Sequence, residues 1–423
     1  MSIFSLLILI GIQQSPLDER NLSLSSRSTE QKLTHKKLLN AYAPDFYHDS
    51  NFLNKKLQVL KPSGTLSDPY FDGDADFSNN PENILLQTED ENGKIKGKYD
   101  LKPRVFSSIQ ETNTHYYLTY LTYHARDDTG DDAHGQDTET VMIAIKKNNK
   151  ELGELEFLVT NSHGYPRIYA PDAELESKMR SRLKSKFNLK DRLAMEILYG
   201  SGIDDDLLGT PTDRMAQAHH RSGRIQIEPR PALFITAEGH AIYKLNPEAW
   251  RDGYGEGYIY TCVPEGLETS AHCFPMRPKK DRIVGYSLRD MDELWNELYP
   301  RDLSKLKPEE LTKIIDQRSK MFEGAQIDFE TKVGDGNLKL RKDLPRSFIR
   351  GTNDEKAAAN LPFDWSMKTG IRLALPHLVH QFLQPDNAQI SDHYLFNSAV
   401  EYSDLKNKNA QISPLALPPL CSK

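Results

Sequence analysis

The sequence has few cysteines, three in 423 residues, and no excess of positive charge: 54 Lys and Arg stand against 61 Asp and Glu, for a formal net charge of -7. A disulfide-scaffolded small domain is excluded by the first absence. The second removes the basic field that draws proteins to phosphate backbones, so nucleic acid is not an expected partner. There is no G-x-S-x-G, no phosphate-binding P-loop and no dinucleotide glycine fingerprint, so a hydrolytic serine or a nucleotide-dependent enzyme has no support. Long apolar runs are also missing. Residues 3–12 form an apolar stretch too short to span a bilayer but of the length of a signal-peptide core, and no other stretch is a candidate span. Export follows as the expectation, to a secreted, periplasmic or cell-envelope location, with a signal peptide over residues 1–20, although no Lys or Arg precedes the apolar run.

What the chain does have is 24 Gly, 24 Pro, 19 Tyr, 16 Phe and 3 Trp, with 38% apolar residues. That composition favours a loop-rich, mainly β (α+β) fold with short strands. Residues 21–36 are polar and Ser-rich and predict a linker, with packed structure from about Lys37. Strands are predicted over residues 45–48, 115–124, 140–145, 155–160, 232–236 and 283–288, where Tyr, Thr, Val, Ile and Leu concentrate between turn signals. The second and third of the central three, separated by the turn-like residues 147–150, predict a hairpin or meander. Residues 172–199 carry Leu, Met and Phe at mixed three and four spacing among Lys, Arg and Glu and predict a helical insert. Shorter helices are predicted over 291–298 and 308–322, and residues 371–423 as an irregular extension that wraps the core or trails from it. Cys262 and Cys273 stand eleven apart across Pro264 and Gly266. In an oxidising compartment they can close a loop, and two free thiols are the alternative.

Chemistry concentrates at His134-Gly135-Gln136-Asp137-Thr138-Glu139. Directly before a strand, the two-residue period puts Asp137 and Glu139 on one face, where they repel unless solvated, protonated or neutralised by a cation. The preceding loop is acidic at Asp127, Asp128, Asp131 and Asp132. One imidazole among many carboxylates is a hard-oxygen set, which suits Mg2+ or Ca2+ better than Zn2+. His163 beside Gly164 and His240 beside Gly239 mark two further strand ends, so one polar end of a sheet is expected. The acidic run at Asp72-Gly73-Asp74-Ala75-Asp76 fails as an EF-hand, because Phe77 stands where glycine is needed and Asn83 where glutamate is needed.

The order Tyr- and Thr-rich strand, acidic loop, H-x-x-D-x-E, strand, S-H-G resembles the necrosis- and ethylene-inducing peptide-like cytolysins and their G-H-R-H-D-W-E heptapeptide. Further blocks resemble the vacuolar protein sorting-associated protein 62 family and its bacterial relatives. These are Tyr42-Ala43-Pro44, Phe46-Tyr47-His48, residues 116–120, Arg230-Pro231-Ala232-Leu233-Phe234 with Gly239-His240-Ala241, and Leu361-Pro362-Phe363-Asp364-Trp365, scattered over residues 38–366. The resemblance implies a β-sandwich, here over 37–370, with a divalent cation in an acidic cavity at one end. It also implies a polar headgroup, glycan or lipid, as the ligand, met at an envelope or membrane surface by peripheral contact. Carried over by position, the ligands are His134, Asp137 and Glu139, with Asp127 upstream. Ala133, Gln136 and Thr138 depart from the heptapeptide, which puts the cytolysins' target surface in doubt. Two other readings stay open: a metal-dependent hydrolase using His163 or His240 as acid or base, and an envelope structural protein.

Overall fold

The computed structural model describes residues 29–49, 65–73, 80–84, 88–89, 95–96, 99–127, 134–162, 165–188, 219, 230–237, 239–251, 257–269, 282–291, 330–333, 336–339, 376–384, 387, 389–391 and 393–397. The strands are β1 (Asp45–Asp49), β2 (Thr88–Glu89), β3 (Ile95–Lys96), β4 (Arg104–Thr112), β5 (His115–Asp127), β6 (His134–Lys146), β7 (Glu154–Ser162), β8 (Tyr165–Tyr169), β9 (Ala232–Ile235), β10 (Ile242–Lys244), β11 (Gly257–Cys262), β12 (Arg282–Asp290), β13 (Glu330–Val333), β14 (Gly336–Lys339) and β15 (Tyr394–Asn397). The helices are α1 (Thr29–Ala41), α2 (Asn80–Asn83), α3 (Ala173–Asn188), α4 (Pro247–Arg251) and α5 (Pro376–Leu383). A mainly β architecture is thus what the composition implied and what the chain adopts.

One eleven-stranded sheet carries the fold, in the order β10-β9-β1-β11-β12-β4-β5-β6-β7-β8, with β15 paired to β4 beside that path. Its central run, β4 to β8, is an antiparallel meander. The other half mixes directions, since β1 runs parallel to β9, β11 to β12 and β12 to β4. The sheet bends back on itself: β10, at one end of the path, packs on β7, near the other, and the Thr160 hydroxyl donates to the Ile242 carbonyl across that junction. This curvature brings residues of distant strands into one interior.

Tyrosine does two jobs in that interior. Tyr117, Tyr120, Tyr123, Tyr258, Tyr260 and Tyr286 are all fully buried, and their rings supply much of the core. A buried hydroxyl needs a partner. Tyr120 donates to the Leu39 carbonyl at 2.8 Å, Tyr286 to the Pro44 carbonyl at 2.7 Å, and Tyr123 accepts from Asn80 at 2.7 Å. The first two bonds capture the end of α1 and the turn into β1. The tight β6–β7 turn needs Gly153, which sits at φ +69 and where a Cβ would lie 2.6 Å from the Lys146 carbonyl oxygen.

Several sequence expectations need correcting. The first helix begins at Thr29, inside the predicted linker and ahead of Lys37, where packed structure was expected to start. Its anchor is polar and invisible to apolar periodicity: buried His35 meets Glu111 Oε2 at 2.7 Å, Gln31 donates to the same oxygen at 2.7 Å, and Lys147 donates to Oε1 at 2.6 Å. β6 begins at His134, so H-x-x-D-x-E lies within a strand rather than ahead of one, because β5 runs on to Asp127 and supplies its backbone partners. The C-terminal extension contributes α5 and β15, and β15 joins the sheet. The helical insert is realised as α3, while the helix expected at 291–298, beyond Met291, and the one expected at 308–322 lie outside the described residues, as does His163. Cys262 is disulfide-bonded, and both other cysteines, Cys273 and Cys421, lie outside the described residues.

Burial works against the Glu111 charge, but the bonds from His35, Lys147 and Gln31 outweigh it and hold the carboxyl down at about 2, from 4.5. A depressed carboxyl stabilises the fold fully above its ordinary value and loses that contribution as pH falls through the folded value. Urea titrations should therefore show about 2–3 kcal/mol of stability disappearing between about pH 4.5 and pH 2. Glu111→Gln should be less stable at pH 7 and flatter over that window; an unchanged acid profile would refute the assignment.

Candidate functional site

The bend of the sheet gathers four side chains from four places in the chain. His48 comes from β1, His124 from β5, Asp137 from β6 and His240 from the turn between β9 and β10. His124 and Asp137 are direct cross-strand partners, so they share a face, and Glu139 follows two residues along the same face opposite Thr122. His48, His124, His240 and Glu139 are almost wholly buried. His240 occupies a left-handed backbone conformation, φ +46, and the Thr236 amide donates to the Ala241 carbonyl at 3.1 Å to close its turn. Histidine is among the residues that tolerate that region, and β-branched ones are not.

The three imidazoles lie against one another. The His124 and His240 rings stack with centroids 3.7 Å apart and planes 1° from parallel, and the His48 centroid is 5.1 Å from the first and 5.8 Å from the second. His48 Nδ1 donates to the Asp49 carbonyl at 3.0 Å, which leaves its Nε2 as a lone pair, and that atom lies 3.0 Å from His124 Nε2. His240 Nδ1 donates to Asp137 Oδ2 at 2.7 Å. The His124 Nδ1 atom is buried without a hydrogen bond among the described residues.

Charge is unwelcome on these rings. Burial first, then the neighbouring His240, pushes His48 down to about 3 despite its bond to the Asp49 backbone. The same burial, with His240 and His48 beside it, drives His124 well below the ordinary histidine value. Neutral imidazoles are metal ligands, and one ligand atom from each of the three residues falls within 4.8 Å of the others. The Asp137–His240 bond is the outer-sphere arrangement that fixes a ligating histidine's tautomer and ring angle.

Of the residues singled out from sequence, Asp137 and His240 are thus brought into direct contact and Glu139 lies along the same strand face. Asp127 and His134 pair with each other in register, three residues along β5 and β6 from the His124–Asp137 pair. Sequence reasoning passed over His48 and His124 as site residues. Their one sequence signal is that each is an imidazole ending a Tyr-rich run, Asp-Phe-Tyr-His and Leu-Thr-Tyr-His.

No family model matches the chain, and neither does any curated protein. Similar solved structures include one described as "Crystal structure of non-toxic HaNLP3 protein", 17% identical over 34% of this chain and 58% of that one, with a TM-score of 0.21. Another, "Toxin fold for microbial attack and plant defense", is 16% identical over 34% of this chain and 57% of that one, with a TM-score of 0.19. A third, "NLPPya in complex with mannosamine", is 10% identical over 54% of this chain and 78% of that one, with a TM-score of 0.21. These are necrosis- and ethylene-inducing peptide-like proteins, one of the two families whose motifs the sequence resembles, and the chain spans little more than half the length of the first two. Nothing in these comparisons speaks for the vacuolar protein sorting-associated protein 62 resemblance. At such TM-scores the likeness adds no weight to the reading of the site.

The backbone and side-chain roles of His240 separate in a pair of variants. His240→Asn and His240→Val both remove the imidazole, but only valine meets the full cost of the left-handed conformation, about 1–2 kcal/mol. Thermal unfolding should rank Val below Asn by that amount; equal stabilities would mean that the turn's conformation carries no strain.

Proposed function

We propose that the chain is an exported β protein that binds a divalent transition-metal ion through His48, His124 and His240 and uses it to recognise an oxygen-rich ligand, a glycan or lipid headgroup, at an envelope or membrane surface. The observation that carries this reading is the convergence of three buried imidazoles from three separate segments within 4.8 Å. Burying three polar rings side by side is costly unless something shared satisfies them. A nitrogen-rich set suits Zn2+ and its neighbours, whereas Mg2+ and Ca2+ take mostly oxygen ligands. The proposed ion therefore differs from the hard cation that the acidic loop suggests. In this reading Asp137 orients His240, Glu139 supplies a nearby carboxylate, and Asp127 and His134 remain candidates for the rim. Asp137, whose side chain is 12% exposed against 1% for His240, lies on the side from which a ligand would approach. The disulfide at Cys262 supports an oxidising destination, and no helix among the described residues is long and apolar enough to cross a membrane.

A second reading is favoured by one feature, the Asp137–His240 pair on a left-handed turn. A metal-dependent hydrolase would hold a general base in the same way. Turnover separates the two.

For chelator-stripped protein, Zn2+ should raise the melting temperature more than Mg2+ or Ca2+ at equal concentration, since a ligand of the folded state stabilises it. Asp137→Asn should weaken Zn2+ binding about 10–100-fold in calorimetry, and His48→Gln should remove that binding event. Equal affinity in both variants and wild type would overturn the site. Since one similar structure is a complex with mannosamine, amino sugars are the first ligands to titrate. Zinc-dependent binding without turnover supports recognition, and zinc-dependent turnover of a glycoside or ester, lost in His240→Gln, supports the hydrolase.

A further inference from the structure

We infer that a second metal ion binds at the opposite end of β5, between His115, Glu156 and His380, and fastens the C-terminal helix α5 to the sheet. His115 opens β5, nine residues from His124, a separation of about 30 Å along an extended strand. Glu156 lies on β7, and His380 lies on α5. One ligand atom from each falls within 4.8 Å of the other two. The two histidines converge on a single carboxylate oxygen: His115 Nε2 lies 3.0 Å and His380 Nε2 3.4 Å from Glu156 Oε2.

These separations are close to those of a metal's ligand shell. With metal–ligand bonds of about 2.0–2.2 Å, ligand atoms of a tetrahedral site stand about 3.3–3.6 Å apart. The third separation, between the two histidines, is within 4.8 Å. Both histidine side chains are wholly buried, and the Glu156 side chain is 14% exposed, which leaves the carboxylate side as the entrance.

The far nitrogens are already held as ligating histidines need. His115 Nδ1 shares a 2.8 Å hydrogen bond with the Thr114 hydroxyl, and His380 Nδ1 shares one of 3.0 Å with the Tyr117 hydroxyl. Gln384 donates to the other Glu156 oxygen at 3.2 Å. His380 Nε2 is buried and makes no hydrogen bond among the described residues, its approach to Glu156 being the 3.4 Å contact above. Burial, aided by His115, pushes His380 down to about 3, so its ring is neutral at pH 7. Two imidazoles with one carboxylate are a zinc-type donor set.

The position gives the ion a structural task. Around the cluster the C-terminal segment makes polar contacts with α3 and with the turn before β5: Arg182 on α3 donates to the Phe382 carbonyl at 2.6 Å, and the Ser391 amide donates to the Thr114 hydroxyl at 2.9 Å. An ion shared by β5, β7 and α5 would lock that seam.

Co2+ and Zn2+ titrations of the full, chelator-stripped chain test this, with bound metal counted by atomic absorption. Wild type should take up two ions, and His380→Gln and Glu156→Gln should each lose one while keeping the event that His240→Gln removes. Zn2+ should also slow limited proteolysis near α5 in wild type and in His240→Gln, but not in His380→Gln. Full wild-type stoichiometry in both His380→Gln and Glu156→Gln would overturn the inference. A single ion lost only in His240→Gln would also overturn it and leave the first site standing, whereas a single ion lost only in His380→Gln would support it and count against the first site.

Discussion

The hydrogen bond from His240 Nδ1 to Asp137 Oδ2, 2.7 Å long and spanning 103 residues of sequence, ties one end of the sheet to a strand near the other. β9 and β10 form one end of the strand path and β6 lies near the other, so the bond exists only because the sheet bends round. The Thr160–Ile242 contact closes the same seam a few residues away. Once closed, the sheet leaves the end of β1 facing the end of β5, and His48 meets His124 there. The histidine cluster is thus a product of the closure as much as of its own residues.

How much of this could be read from the chain depended on how local each signal was. The strands came from runs of Tyr, Thr, Val and Leu, and α3 from its three and four spacing, because burial on a pleated face or a helix stripe selects residues within a few positions. The two-residue period also put Asp137 and Glu139 on one face correctly. It could not indicate that the partner across the strand is a histidine, since register is set by the whole β5–β6 ladder. His48 and His124 stand 76 residues apart, and no spacing rule links them. The Ser-rich appearance of residues 21–36 suggested a linker for a similar reason. Distant residues, Glu111 and Phe396 among them, make His35 a buried anchor rather than a polar helix residue.

Histidine placement gives the molecule its chemical character. Among the described residues eight histidines are buried, although histidine is more often only partly covered. Five of those eight belong to the two clusters, and a sixth, His377, lies on α5 with His380. The acidic loop that draws the eye in the sequence suggested oxygen ligands, whereas the interior of the fold is supplied with nitrogen. Under the proposed reading that contrast favours a borderline ion over a hard one, because borderline ions take imidazole and hard ions take carboxylate and water.

The central claim is that three imidazoles from β1, β5 and the β9–β10 turn share one ion. Anomalous diffraction at the zinc edge, from crystals of the zinc-loaded protein, tests it most directly. A peak within bonding distance of His48, His124 and His240, with Asp137 still bonded to His240, is the predicted result. Zinc bound elsewhere, with those three rings unchanged and no peak between them, would contradict it.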